Sequence, residues 1–70
     1  MLIPSYKPLK ITLVQRDMTF ASLREATGIA PNTFTKMNKN EWVALEVIAR
    51  ICEALDCRIE DVVEFVKDNR

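Results

Sequence analysis

The chain has 70 residues and equal numbers of basic and acidic side chains, so its formal net charge is zero. Hydrophobic residues make up 49% and charged residues 29%, which is typical of a globular protein and not of a disordered one. No apolar run approaches the roughly 18 residues that a membrane span needs, and the N-terminus lacks the basic start and apolar run of a signal peptide. We therefore expect a single domain over residues 1–70, cytoplasmic and not associated with a membrane.

The composition argues against catalysis. The sequence contains no histidine, the commonest general base and metal ligand. Its one glycine, Gly28, cannot form a glycine-rich phosphate loop, and two cysteines cannot complete a structural zinc site without histidine. We therefore expect no enzyme, no small-molecule substrate, no metal and no cofactor.

The two cysteines, Cys52 and Cys57, have two interpretations. They could form a redox switch, which requires a thiolate stabilised by cations, and only Arg58 is adjacent to Cys57 in sequence. They could instead be small apolar residues of the core, as free cysteines usually are. The second interpretation is favoured.

Hydrophobic periodicity predicts three helices in the first half of the chain. Helix 1 begins near Pro8, Thr19 caps helix 2, Gly28 ends it, and Pro31 lies in the first turn of helix 3. The side chains expected to face inward are Leu9, Leu13, Phe20, Leu23, Ala26, Phe34 and Met37. Ile11 or Val14 is a further choice in helix 1.

The second half predicts two more helices after a polar loop over residues 38–42. Helix 4 carries the clearest apolar stripe: Leu45, Ile48, Ile51, Cys52 and Leu55. Helix 5 repeats this pattern with Ile59, Val62, Val63 and Val66. The predicted fold class is an all-α, five-helix domain. As an alternative for the two ends, residues 2–3 and 63–66 could form short strands paired within or between subunits.

The charges are unevenly divided along the chain. Residues 1–40 contain six basic and two acidic residues, a net charge of +4, whereas residues 41–70 contain four basic and eight acidic residues, a net charge of −4. The basic half can face an anionic polymer such as nucleic acid. A solvated surface with chance clustering is the alternative.

The segment over residues 19–37 carries the functional signal. Two short helices joined by a tight turn at Gly28 leave the start of the second helix free to enter a groove. Between Ile29 and Asn40 there is no acidic residue. The positions expected to be exposed on the second helix are polar or cationic, as a surface facing bases and phosphates requires: Asn32, Thr33, Thr35 and Lys36.

These residues resemble the helix-turn-helix of the Cro and lambda-repressor type, the XRE family. The resemblance covers nearly the whole chain. Its most specific parts are Leu23 to Phe34, with the pattern L-x-x-x-x-G-I-A-P-x-T-F, and Ala44 to Cys57, with the pattern A-L-x-x-I-x-x-I-C-x-A-L-D-C. The resemblance implies a lambda-repressor-like fold and sequence-specific binding to double-stranded DNA by a dimer, with helix 3 in the major groove.

Carried over by position, the resemblance assigns base contacts and backbone contacts to different residues. The base-facing positions are Pro31, Asn32, Thr33 and Lys36. The backbone positions are Thr35, Lys39 and Asn40, with Lys10 and Arg16 as further phosphate ligands. Three departures from the family pattern are Phe20 in place of a polar residue that touches phosphate, Arg24 in place of alanine, and Ala44 and Arg58 in place of capping serines.

Two functions are consistent with this sequence. The first is a homodimeric transcriptional regulator, a repressor, that reads a palindromic operator. The second is an antitoxin or protein-interaction module that uses the same fold with weak or no DNA binding. Surplus apolar residues such as Val47 or Phe65 are candidates for a dimer contact, and Trp42 is interpreted as a lid over the small core.

Overall fold

Residues 1–68, which this computed structural model describes, form four α-helices and one two-stranded sheet. The elements in chain order are β1 (Leu2–Ser5), α1 (Lys7–Gln15), α2 (Phe20–Thr27), α3 (Pro31–Asn38), α4 (Leu45–Leu55), a 3₁₀ turn (Ile59–Asp61) and β2 (Glu64–Lys67). The end of the predicted domain at residue 70, including the charge of Arg70, lies outside the described residues. None of the helices in residues 1–68 combines the length and apolar character needed to cross a membrane.

Local signals place the first three helices where the sequence predicts them. Pro8 and Pro31 each lie in the first turn of a helix, where a missing N–H costs nothing. The Thr19 hydroxyl caps α2 by accepting a hydrogen bond from the Ser22 backbone N–H at 3.1 Å. Gly28 ends α2 in the left-handed conformation with φ of 70°.

The core lies between the four helices and the 3₁₀ turn. Its buried hydrophobic side chains are Tyr6, Leu9, Leu13, Leu23, Ile29, Phe34, Met37, Ile48, Ile51, Leu55 and Val62. Most of the residues expected to face inward are among them, and Phe20 and Cys52 pack against the cluster from its edge. Five side chains expected on inward faces, or offered there as a further choice, are exposed instead: Ile11, Val14, Ala26, Leu45 and Ile59.

The predicted fifth helix is wrong. After the single 3₁₀ turn the chain extends into β2, which pairs antiparallel with β1 and places Val66 opposite Ile3 and Phe65 opposite Pro4. Valines are β-branched and favour strands, and β1 supplies the hydrogen-bond partners that a continued helix would not use. The alternative of short terminal strands is therefore correct, with pairing inside one chain.

Three polar contacts between elements distant in sequence fix the packing, and none was predicted. The Tyr6 hydroxyl donates to the carbonyl oxygen of Glu41 at 2.7 Å. The hydroxyl of Thr12, a buried residue of α1, donates to the carbonyl oxygen of Asp61 at 2.8 Å. A guanidinium nitrogen of Arg16 donates to a carbonyl oxygen at the end of α4. These contacts hold the α3–α4 loop, the 3₁₀ turn and α4 relative to the N-terminal part.

The cysteines favour the packing interpretation. Cys52 and Cys57 are free thiols, half-buried and packed against the core. Burial, together with the neighbouring Cys52, raises the pKa of the Cys57 thiol to about 11. The thiol of Cys57 is therefore protonated at neutral pH and is a poor nucleophile.

We predict that Ala44→Ser stabilises the domain. Ala44 is the N-cap of α4, with extended backbone angles and no side-chain hydrogen bond to the helix. A serine hydroxyl there would accept a hydrogen bond from an otherwise unsatisfied backbone N–H in the first turn. This bond should raise the free energy of unfolding by about 1 kcal/mol. Urea unfolding followed by circular dichroism measures the change.

Ala49→Ser is the matched control for this cap. Ala49 is exposed in the interior of α4, where serine is a weaker helix former than alanine, so we expect a loss of about 0.5 kcal/mol. Equal effects of the two substitutions would contradict the capping explanation.

Candidate nucleic-acid interface

The apolar side chains of α2 and α3 are buried in one core, in which α2 also packs against α4. Leu23 on α2 is fully buried, and Phe34 and Met37 on α3 are buried with it. The rings of Phe20 and Phe34 meet edge to face, with centroids 5.8 Å apart. The apolar face of α3 is thereby fixed to the core, and its opposite face points to solvent.

The turn between the two helices is fixed by its own backbone and one hydroxyl. The Thr27 hydroxyl donates to the Leu23 carbonyl oxygen at 2.8 Å and accepts from the Ile29 backbone N–H at 3.3 Å. Gly28 takes the left-handed conformation between them, and buried Ile29 anchors the end of the turn. The start of α3 at Pro31 is therefore held in one orientation.

The residues predicted to contact bases lie together on the first turns of α3. Pro31, Asn32 and Lys36 are exposed, and Thr33 is half-buried. Asn32 and Lys36 are four residues apart in the same helix, so their side chains share one face. This face presents an amide, a hydroxyl and an ammonium group to solvent.

The residues predicted to contact the DNA backbone lie at the edge of the α3 surface and in the loop that follows it. Thr35 is exposed, and its hydroxyl donates to the Pro31 carbonyl oxygen at 3.3 Å, so it must rotate before it can donate to a phosphate. Lys39 and Asn40 are exposed after the end of α3. Asn40 is left-handed with φ of 56°, which turns the chain away from the helix axis.

The surface around α3 is cationic. Residues 26–40 contain two lysines and no acidic residue. The ion pairs formed within residues 1–68 join Arg50 to Glu46 and Arg58 to Glu60, so Lys36 and Lys39 are not neutralised by either. Both lysines are available to an anionic ligand.

The two remaining predicted phosphate ligands, Lys10 and Arg16, lie on α1 and directly after it. Lys10 is exposed beside a shallow depression lined only by α1 residues. Arg16 follows the C-terminal end of α1, and one of its guanidinium nitrogens is bound to the Leu55 carbonyl oxygen. Arg16 thus stabilises the C-terminus of α4, where a cation is favourable to the helix dipole.

Two of the three departures from the family pattern, Phe20 and Arg24, have structural explanations. Phe20, in place of a polar residue, packs its ring on Phe34 and strengthens the α2–α3 contact. Arg24 is exposed, so it does not enter the contact between helices.

Asn38, assigned to the loop from the sequence, is the last residue of α3 and is exposed there. It adds a polar group to the surface that sequence reasoning missed, because no local signal distinguishes the final helical residue from the first loop residue.

The comparison with known families agrees with this geometry. The family model described as the Cro/C1-type HTH DNA-binding domain matches residues 8–68. The chain belongs to the family of Cro/C1-type helix-turn-helix DNA-binding domains. The matched range contains α2, the turn and α3 in full. The matched range begins in α1 and reaches the residue after β2.

A solved structure supports membership in the Cro/C1-type family. The chain is similar to the transcriptional regulator VanUg, with 42% sequence identity, 96% of this chain and 89% of that chain covered, and a TM-score of 0.93. Among curated proteins, none matches the chain. The family and the solved structure together identify a DNA-binding domain of the kind found in transcriptional regulators.

Proposed function

We propose that this protein is a sequence-specific regulator of transcription, a cytoplasmic repressor that binds double-stranded DNA as a homodimer without a cofactor. The observation that carries this proposal is the exposed face of α3. It presents Asn32, Thr33 and Lys36, residues 26–40 contain no acidic residue, and the opposite face of the helix is buried through Phe34 and Met37. A rigid, cationic and hydrogen-bonding helix face suits the major groove.

Each residue of this face has a proposed role. The Asn32 amide pairs bidentately with adenine, and the Lys36 ammonium reaches guanine or a phosphate. Thr33 contacts a base through its hydroxyl or its methyl group, and Pro31 packs against the edge of a base. Because Asn32 and Lys36 lie one helical turn apart on one face, they reach neighbouring base pairs.

The phosphate contacts position α3 in the groove. Thr35, Lys39 and Asn40 lie at the end of the α3 surface and hold one strand. Lys10 and Arg16 are proposed as more distant phosphate contacts. Arg16 retains further N–H donors beyond the one bound to Leu55, since a guanidinium carries five.

The proposed operator is palindromic. A single α3 reads only a few base pairs, so two copies related by a two-fold axis are needed for useful specificity. Their half-sites are expected about one helical turn apart, roughly 34 Å centre to centre.

Selection from a randomised duplex library at two salt concentrations tests the proposal. We expect enrichment of a palindrome, with log affinity falling against log salt by about 0.9 per neutralised phosphate. A non-specific DNA-binding protein would show the salt dependence without enrichment. Enrichment of no sequence at either salt concentration would overturn the proposed function and favour a protein-interaction module.

A further inference from the structure

An exposed apolar surface lies outside α3, beyond the loop that follows this helix. Trp42, Leu45, Ile59 and Phe65 have exposed fractions of 57%, 74%, 49% and 61%. They border one open pocket of about 280 Å³ whose floor is apolar. The rings of Trp42 and Phe65 lie 5.9 Å apart, although the loop and the strand that carry them are distant in sequence. We call these four side chains the Trp42 patch.

The size of the Trp42 patch fits the centre of a protein interface. Large side chains bury roughly 150 to 250 Å² each when covered, so four at these exposures present on the order of 500 Å². Soluble monomers seldom expose a larger continuous apolar patch, and one of this size is often functional. A standard interface covers about 800 Å² per partner, so the patch would supply its apolar centre and neighbouring polar residues its rim.

The charged residues next to the Trp42 patch in sequence disfavour DNA and include both signs. Glu41, Glu46 and Glu60 are exposed and each adjoins a patch residue in sequence, and carboxylates repel phosphates. Two of these three carboxylates are paired with cations, Glu46 with Arg50 at 3.3 Å and Glu60 with Arg58 at 3.0 Å. A surface that carries both signs around an apolar centre can complement itself, as a two-fold symmetric interface requires.

The position of the Trp42 patch also fits a dimer that reads DNA. The patch begins at Trp42, two residues after Asn40, so it continues directly from the loop that ends α3. A two-fold axis through it would place one α3 on each side. The domain measures 34 × 23 × 18 Å, so two copies in contact have centres separated by a distance of the order of one turn of DNA.

We infer that the Trp42 patch is the surface through which two copies of this chain associate. The role of that dimer at a palindrome rests on the proposed function, whereas the association itself does not. The exposed apolar residues of α1, Ile11 and Val14, lie on another surface, beside Lys7 and Lys10, and remain free.

Sedimentation velocity on the full chain without DNA tests the inference, from about 1 to about 500 µM. Leu45→Glu places a charge in the patch and should weaken dimerisation at least about 30-fold, as for a hot-spot residue. Glutamate in the first turn of α4 suits the helix dipole, so this variant should keep its fold, which circular dichroism checks. Val14→Glu is the matched control, because Val14 is 76% exposed on α1, and it should change dimerisation less than about threefold.

Tryptophan fluorescence provides a second measurement of the same surface. Trp42 is the single tryptophan, so its fluorescence emission should move to shorter wavelength as the wild-type chain dimerises and stay constant in Leu45→Glu. A wild-type chain that stays monomeric over this range, or dimerises equally well with Leu45→Glu, would overturn the inference. Weakening by Val14→Glu as large as that by Leu45→Glu would also overturn it.

The two proposals fail separately. A chain that dimerises through the patch but enriches no duplex would leave the interface standing and remove the proposed function. A chain that enriches a sequence but fails the sedimentation test would leave the proposed function standing and remove the interface. Lys36→Ala should leave sedimentation unchanged, because Lys36 lies on α3 outside the patch.

Discussion

Replacing both Asn32 and Lys36 by alanine is expected to lower affinity for the operator by about 100- to 1,000-fold, because each direct base contact contributes about 1 to 3 kcal/mol of discrimination. Both side chains are exposed, so the variant should fold as the wild-type chain does. Affinity for unrelated duplex DNA should fall much less. Titration of a labelled operator and a scrambled duplex at matched salt measures both affinities.

The single variants distinguish base contacts from phosphate contacts. Asn32→Ala should relax the base preference at one operator position and leave the salt dependence unchanged, whereas Lys36→Ala should reduce the salt slope by about one phosphate equivalent if it binds phosphate. Lys67→Ala is the control, because Lys67 is an exposed lysine on β2, remote from α3 in the chain. An operator affinity of the double variant equal to that of Lys67→Ala would show that α3 does not read the bases.

The helix-turn-helix could be predicted because its signals are local. Thr19, Gly28 and Pro31 each act on the backbone within a few residues, by capping, by a left-handed turn and by a fixed φ. Apolar spacing then places Leu23 and Phe34 on the buried faces of their helices. None of these signals depends on a distant part of the chain, so the sequence alone is sufficient for this segment.

The C-terminal segment could not be predicted in the same way, because its structure depends on a partner at the other end of the chain. The spacing of Ile59, Val62, Val63 and Val66 suits one helix face, but the backbone beyond the 3₁₀ turn pairs with β1, whose residues lie 59 to 65 positions away along the chain. The spacing of apolar residues within one segment contains no information about its pairing with a distant strand. The β-branched valines were the only sequence signal for a strand.

The candidate site also contains some features that follow from local sequence and others that depend on distant parts of the chain. The exposed polar face of α3 follows from helical spacing, since Phe34 and Met37 mark the inner side. Arg16 has the charge of a phosphate ligand, but its position relative to α4 depends on how α1 packs, and there it donates to the Leu55 carbonyl. Trp42, expected to cover the core as a lid, is more than half exposed and meets Phe65 on the strand that was predicted as helix. The patch could not be foreseen without that strand.

The largest effect on stability is expected from Leu23→Ala. Leu23 is fully buried on α2 in the core that also contains Phe34 and Met37 of α3, and truncating such a leucine costs about 2 to 5 kcal/mol through lost burial and a residual cavity. Native domains are stable by only about 0.05 to 0.15 kcal/mol per residue, so this loss is a large part of the total for a chain this short. Urea unfolding followed by circular dichroism measures the change, and the variant should be substantially unfolded at 37 °C.

Two controls identify the mechanism of that loss. Leu23→Met keeps nearly the same volume and should cost less than about 1.5 kcal/mol, whereas Val14→Ala, at a site that is 76% exposed, should change stability by less than about 0.5 kcal/mol. Because Leu23 faces the core and not the groove, saturating operator DNA should restore folding of Leu23→Ala by mass action. If Leu23→Ala were as stable as Val14→Ala, the burial of Leu23 would not hold α2 in the core, and the position of the helix-turn-helix would need another explanation.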